Sequence, residues 1–465
     1  MIRLAPLLHE RLGSLAGWVL LSGYGMATTA ALILLPYGIS GAFLVALGLA
    51  LISTPLLRKA RERETDPVLA AMVSWGLVAA FVAGLVHFYT VAATYDGLAD
   101  ASMYHDRGAE FAAKVWEGEP LAALESVRAG TEFLYAATGL IYTVTGPTIL
   151  GGHIVYAWIA YWGLYFCYRA FRTALPDADH RRYAALIFFL PSSLFWSCAI
   201  SKEAWMMLGI GLTLLGAARL LAKRPGILLP AVAGLTTITF VRPHIAVLLL
   251  VAITVSVSVR RGARASTIAP LAKGLSLSLL IVVGALVGGR LAAFMGVAEL
   301  DADSISDQLD KATRNTSDLG ESTFEASPVG GLSDLPWAMV SVLFRPFPWE
   351  ADSNLALMCS AESMVLALLV ISSGKRWRRI PRLLVRQPYV LVAVAALPLF
   401  AIVLSTFGNF GLLVRERLMV LPLVFVPLCL AKVGANHQAT HSRRVTEHSE
   451  QASALLHRGR GRRRP

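Results

Sequence analysis

Apolar residues run along this chain in long blocks that polar residues interrupt only briefly. Stretches of about 20 apolar residues, enough for a helix to cross a bilayer, fall near 15–36, 38–56, 67–93, 149–168, 183–200, 204–222, 226–241, 245–259, 272–290, 354–373, 388–406 and 417–434. The pattern predicts an all-α polytopic membrane protein of about 12 transmembrane helices. Pro243 separates two of the shorter stretches, which leaves open whether the segment around Arg242 is two short spans or one kinked span.

Two breaks are long, at residues 95–148 and 291–350. In the first, Tyr104, Gly108, Phe111, Ala112 and Val115 fall at helical spacing on one face, with His105, Asp106, Glu110, Lys114 and Glu117 opposite. That pattern predicts a helix lying on the membrane surface, and Asp100 and Ser102 both suit its start. The second break carries Asp301, Asp303, Asp307 and Asp310 ahead of Lys311 and Arg314. It lacks the glycine and the bidentate glutamate of a calcium loop, so a solvated amphipathic helix is expected. Asn315-Thr316-Ser317 has the spacing of a glycosylation acceptor, which matters only in a eukaryote with this loop lumenal. Leu343-Phe344-Arg345-Pro346-Phe347-Pro348-Trp349-Glu350, with two prolines, is expected to form an irregular aromatic lip at the membrane interface.

Composition agrees with a chain that lives in lipid: 56% of residues are hydrophobic, 15% are charged and the mean hydropathy is +0.60. The net charge of +12 is explained by topology rather than by nucleic acid. Most Lys and Arg lie in alternate loops, among them Arg58 to Arg63, Arg169 to Arg182, Arg260 to Lys273 and Lys375 to Arg386, which predicts cytoplasmic termini and an outer face holding 95–148 and 291–350. Residues 1–434 form the expected membrane domain and 435–465 a basic, disordered cytoplasmic tail. The first apolar stretch shows no small-residue cleavage site and is expected to stay as an anchor. Cys167, Cys198, Cys359 and Cys429 form no CxxC pair and read as small buried hydrophobes. The excess of Arg over Lys and the abundant Ala suggest a bacterial source.

Chemistry concentrates in the short gaps of the outer face. Tyr95-Asp96 and Asp100 to Asp106 follow one apolar stretch, while Ser201-Lys202-Glu203, Arg242-Pro243-His244 and Arg415-Glu416-Arg417 each separate two apolar runs. An isolated charge at that depth is costly unless it is paired or wet. Any one of these residues suits a boundary position where a long side chain reaches for water, but four sets on one side point to a polar cavity. Forked guanidinium donors suit a phosphate or diphosphate, and a nearby carboxylate suits a general base acting on an acceptor hydroxyl.

An outer loop that opens with Asp100, has Tyr104 four residues on, His105 beside it and then an interfacial helix resembles the GT-C membrane glycosyltransferases related to protein O-mannosyltransferases and the lipid A aminoarabinose transferase. Where that family often has a second acid next to the first, this chain has Ala101. The resemblance implies a GT-C-like core, a polyprenyl-phosphate-linked sugar as donor, a glycan or lipid-linked acceptor, and Asp100 as the catalytic carboxylate. Asp96 is then an alternate base or a metal or acceptor contact, with His105 beside them. Lys202, Arg242, His244, Arg415 and Arg417 are candidates for the lipid phosphate, and Glu203 for orienting Lys202 or serving as a second acid. Some members of the family use a divalent metal and others do not, and the residues leave this open. The charged gaps, the segment 344–350 and Asn409-Phe410-Gly411 also resemble bacterial membrane proteins of cell-surface polysaccharide loci, which implies envelope glycan assembly. Two other readings stand beside this one: a Wzy-type polysaccharide or O-antigen polymerase, depending more on Arg242 and Arg415, and a flippase or transporter for a lipid-linked saccharide, for which no internal repeat is found.

Overall fold

A computed structural model describes residues 19, 22–94, 100–125, 127–259, 268–295, 302–317 and 323–431. These residues are helical, with one isolated bridge between Thr323 and Asn409 and no strand among them. In chain order the helices are α1 (22–34), α2 (Tyr37–Glu62), α3 (Pro67–Thr94), α4 (Asp100–Trp116), α5 (Pro120–Glu125), α6 (Thr131–Thr145), α7 (Ile149–Ala174), α8 (His180–Phe189), α9 (Pro191–Phe195) and α10 (Lys202–Leu221). They continue as α11 (Leu228–Val241), α12 (Pro243–Val259), α13 (Ile268–Met295), α14 (Ala302–Ser317), α15 (Leu335–Phe344), α16 (Asn354–Ser372), α17 (Gly374–Trp377), α18 (Ile380–Arg386), α19 (Pro388–Leu404), α20 (Phe410–Arg417) and α21 (Leu421–Leu428).

Among the described residues, five helices, α2, α3, α7, α10 and α16, are long and apolar enough to cross a bilayer, or six if the bent pair α18 and α19 is one span. This is the makeup of a helical membrane protein. The expected stretch 272–290 lies within the 28-residue α13, and several others are shorter or broken. The stretch 183–200 divides at Leu190, which is extended (ψ 126°) because the ring of Pro191 disfavours helical backbone in the residue before it. Among the described residues of the stretch 417–434, the eight-residue α21 starts behind Val420 with a proline in its first turn, after α20 has ended at Arg417. Around Arg242 the backbone leaves the helical region (φ −148°, ψ 86°), so α11 and α12 are separate helices.

The core is built around α7 and α10, which are buried over most of their length, while α2, α3 and α16 keep broad apolar faces exposed. A membrane helix gains little from burying apolar area against a neighbour, so close backbone approach and polar ties carry the packing. Both are present. A Cβ placed on Gly211 would land on the carbonyl of Gly163, and one on Gly163 would land on the backbone of Met207 and Leu208. The aromatic tips of α7 reach outward: the Tyr161 hydroxyl donates to the Val73 carbonyl (2.7 Å) and Trp158 Nε1 to Ser53 Oγ (2.7 Å). Gly211→Leu is therefore expected to cost about 3 kcal/mol or more, the upper end for overpacking, because the obstacle is backbone. An earlier thermal midpoint of the detergent-solubilised protein would show it, and an unchanged midpoint would contradict the close crossing.

The helix expected after residue 95 is present as α4, with Ala101, Tyr104, Gly108, Phe111 and Ala112 as its buried face. That face packs on α6, where Cβ atoms built at Gly108 and Gly139 would meet Thr138 and Phe111. Asp303, Asp307 and Asp310 of the acidic run lie in α14, whose described positions are mostly exposed, while Asp301 lies outside the described residues. Segment 343–350 leaves α15 at an extended Arg345, passes a cis peptide to Pro346, and stacks Phe347 on Trp349 with centroids 5.0 Å apart.

Candidate functional site

Four elements distant in sequence place charged side chains at one point. Asp100 is the first residue of α4, where a carboxylate also complements the helix dipole. Lys202 and Glu203 open α10 behind an extended Ser201. Arg242 occupies the non-helical link between α11 and α12. Arg415 and Glu416 lie on α20, whose start is set by Asn409, the side chain of which accepts a hydrogen bond from Leu412 N (3.1 Å).

Arg242 donates through Nη2 to Glu203 Oε1 (3.1 Å) and through Nη1 to Glu416 Oε2. Arg415 donates through both Nη1 and Nη2 to Asp100 Oδ2 (3.2 Å each), and Nη2 also reaches Glu203 Oε2 at 3.4 Å. Glu203, fully buried, thus joins the two arginines. Lys202 stands at the edge, its Nζ donating to Thr131 Oγ1 (2.9 Å) at the start of α6. The side chain of Asp100 is 55% exposed and that of Arg415 25%, while Glu203 and Glu416 lie deep. The cluster is a ladder that descends from a solvent-facing carboxylate to an enclosed one.

Lys202, Arg242 and Arg415 formally balance Asp100, Glu203 and Glu416. Their mutual pairing makes the burial tolerable, since a lone ion at that depth would be far costlier. Glu203 first, and then Asp100, raises the Arg415 guanidinium above its ordinary value. Burial raises the Glu416 carboxyl above the usual carboxylate range despite the pull of Arg242.

The remaining candidates are placed differently. Arg417 turns into the protein, where Nη1 donates to the carbonyls of Leu343 (2.9 Å) and Arg345 (3.0 Å) and to Ser363 Oγ (3.0 Å). It braces the aromatic lip from below. His105 contacts the Tyr142 hydroxyl through Nδ1 at 2.7 Å, on the seam between α4 and α6. Burial lowers its pKa and so favours the neutral ring. His244 is the second residue of α12, half-buried, and makes no side-chain hydrogen bond among the described residues. Asp96 lies outside the described residues. Among the described residues no group of three or more His, Cys, Asp or Glu side chains could hold a metal ion.

Two participants were not singled out by sequence reasoning. Glu416 stands in the charged triplet, but nothing in that triplet says that its middle residue faces Arg242. Thr131 carries no sequence signal for a contact with Lys202, being a hydroxyl at a helix start like many others. Beside the cluster lies a groove of about 1060 Å³, walled by one face of α11 from Ile227 to Phe240 and by α13 from Leu280 to Ala293. Its walls are aliphatic for most of their length, and the exposed Arg128 and Arg290 also line it. Gly130 N donates to the Phe240 carbonyl (2.7 Å), which ties the Arg128 segment to the end of α11 two residues before Arg242.

No family model matches this chain, and no curated protein or solved structure matches it.

Proposed function

We propose that this chain is a membrane glycosyltransferase that takes a sugar from a polyprenyl-phosphate donor and transfers it to an envelope glycan or lipid-linked acceptor. The reading places about 12 spans and a GT-C-like core in a bacterial plasma membrane, with both termini cytoplasmic, α4 on the outer surface and the charged cluster at the outer face. The observation that carries it is the pairing of Asp100, exposed to an incoming acceptor, with Arg415 and the enclosed Glu203–Arg242–Glu416 set behind it. The groove beside α11 supports the same reading, because an aliphatic trough with arginines in its lining has the chemistry of a long-chain lipid phosphate.

In this mechanism Asp100 accepts the proton of the acceptor hydroxyl as its oxygen bonds to the anomeric carbon. The carbon–oxygen bond to the phosphate breaks, and its electron pair stays on the phosphate oxygen. Arg415, with Lys202 close to the groove, stabilises that developing charge. Attack from the face opposite the leaving phosphate inverts the anomeric centre.

A second reading, a Wzy-type polymerase joining repeat units carried on a polyprenyl diphosphate, is favoured by the central position of Arg242 between two carboxylates. Purified protein in liposomes, given a labelled polyprenyl-monophosphate sugar or a labelled polyprenyl-diphosphate oligosaccharide, separates the two. Consumption of the monophosphate with one sugar added per acceptor is expected. Consumption of the diphosphate alone, with growing chain length, would replace the transferase by the polymerase. In the same assay Arg290→Leu is expected to raise KM for the lipid donor roughly tenfold, the effect of about 1.4 kcal/mol of lost phosphate binding, with kcat little changed. A fall in kcat at constant KM would remove Arg290 from the donor site.

A further inference from the structure

At the other end of α19, which leads towards the charged cluster on α20, is a second basic site. The cluster is reached from the carboxy-terminal end of α19, whereas this site surrounds the amino-terminal end of α19 and the carboxy-terminal end of α7. The 17 residues of α19 span roughly 25 Å, close to the thickness of a bilayer's hydrocarbon core. The two sites therefore face opposite sides of the helical bundle.

The second site is a cleft of about 780 Å³. Lys375, Arg378, Arg382 and Arg386 line it, all exposed and none in an ion pair among the described residues. Its one acidic lining residue is Asp177. The cleft is built on fixed supports. The buried Arg376 donates to the Leu430 carbonyl (2.7 Å) and to Asp179 Oδ2 (2.8 Å), and Arg379 donates to the Ala431 carbonyl (3.0 Å). These two arginines hold the floor, and the four basic groups on the rim remain available. The segment 374–386, which holds α17, α18 and the turn between them, carries all four rim residues, and α18 meets α19 at 116°. A helix turned that sharply does not continue the line of α19. Its apolar residues Ile380, Leu383 and Leu384 pack on the core, and Leu175, Leu383 and Leu430 give the cleft an apolar side.

We infer that this cleft binds the phosphate headgroup of an anionic phospholipid from the leaflet opposite the charged cluster. Four cations around one cavity repel one another unless an anion sits among them, and guanidinium forks match phosphate oxygens. The position at a span end, with leucines beside the arginines, suits a headgroup whose acyl chains continue along the bundle. The segment that follows Ala431 is a poor occupant on charge: it contributes Lys432, Arg443, Arg444 and the closing Arg458 to Arg464 run against Glu447 and Glu450. The inference stands apart from the proposed transferase activity, since it uses none of its residues.

The test is native mass spectrometry of the full chain in detergent, titrated with cardiolipin, phosphatidylglycerol or phosphatidylcholine. Preferential retention of the two anionic lipids is expected, and the double variant Arg382→Gln/Arg386→Gln should lower that retention by roughly tenfold or more, as loss of two basic groups near an anionic surface implies. Both residues are exposed, so the variant should elute and melt like the wild type in phosphatidylcholine micelles. A tail variant, Arg462→Gln/Arg463→Gln/Arg464→Gln, should retain lipid as the wild type does. Equal retention of phosphatidylcholine, or loss in the tail variant with none in the cleft variant, would overturn the site. Pyrophosphate bound as tightly as cardiolipin and competing with it would overturn the assignment to lipid.

Discussion

Replacing Arg242 with Met is expected to destabilise the protein by about 3–5 kcal/mol, the cost of leaving a buried charge uncompensated. The guanidinium joins Glu203 and Glu416, whose side chains are 0% and 8% exposed, and no other cation within hydrogen-bond reach of Glu416 takes its place among the described residues. The size of the effect comes less from the worth of the ion pairs than from what their removal leaves behind. The triple variant Arg242→Met/Glu203→Gln/Glu416→Gln should therefore recover much of the loss, because replacing a whole buried ionic set by neutral groups is often close to neutral. Arg242→Lys should fall between the two, since an ammonium cannot reach both carboxylates with a planar fork. Thermal unfolding in detergent gives all three values. A single variant as stable as the wild type would mean that the carboxylates are not enclosed by Arg242.

Asp100→Asn is expected to do the reverse, leaving stability alone and removing activity. The ion pair with Arg415 is half open to solvent, and exposed pairs contribute at most about 1 kcal/mol. As a general base, Asp100 should account for roughly 10²–10⁴-fold of the transfer rate. The amide keeps the shape and one acceptor oxygen for Arg415 but cannot take the acceptor's proton. Transfer of labelled sugar from the polyprenyl-phosphate donor, at matched protein level and with the melting curve recorded on the same sample, separates a chemical from a structural role. Full activity in Asp100→Asn together with loss in Arg415→Ala would move the chemistry away from the carboxylate and toward the diphosphate reading.

Much of the cluster could be read from spacing. Asp100 and Arg415 are 315 positions apart, yet both follow apolar runs that end on the same predicted face. A charge in a short gap between two apolar stretches has few places to go, so Lys202, Glu203 and Arg242 were visible by the same logic. Side-chain direction was not visible. Arg415, Glu416 and Arg417 are consecutive on α20, where each residue turns about 100° from the last. Arg415 consequently meets Asp100 while Arg417 points back toward the carbonyls of Leu343 and Arg345. Those acceptors exist only because the chain leaves α15 in an extended conformation just before Pro346.

Amino-acid pattern was sufficient for the helical class and for the amphipathic helix α4, because hydropathy and helical spacing are properties of a segment taken alone. Pairing belongs to the tertiary structure. Packing chose Glu203 as the link between two arginines, gave Lys202 the Thr131 hydroxyl as its partner, and opened the groove between α11 and α13. It also folded α18 away from α19. Each of these outcomes depends on which faces of distant helices meet, and a one-dimensional record of polarity carries no information about rotation around a helix axis.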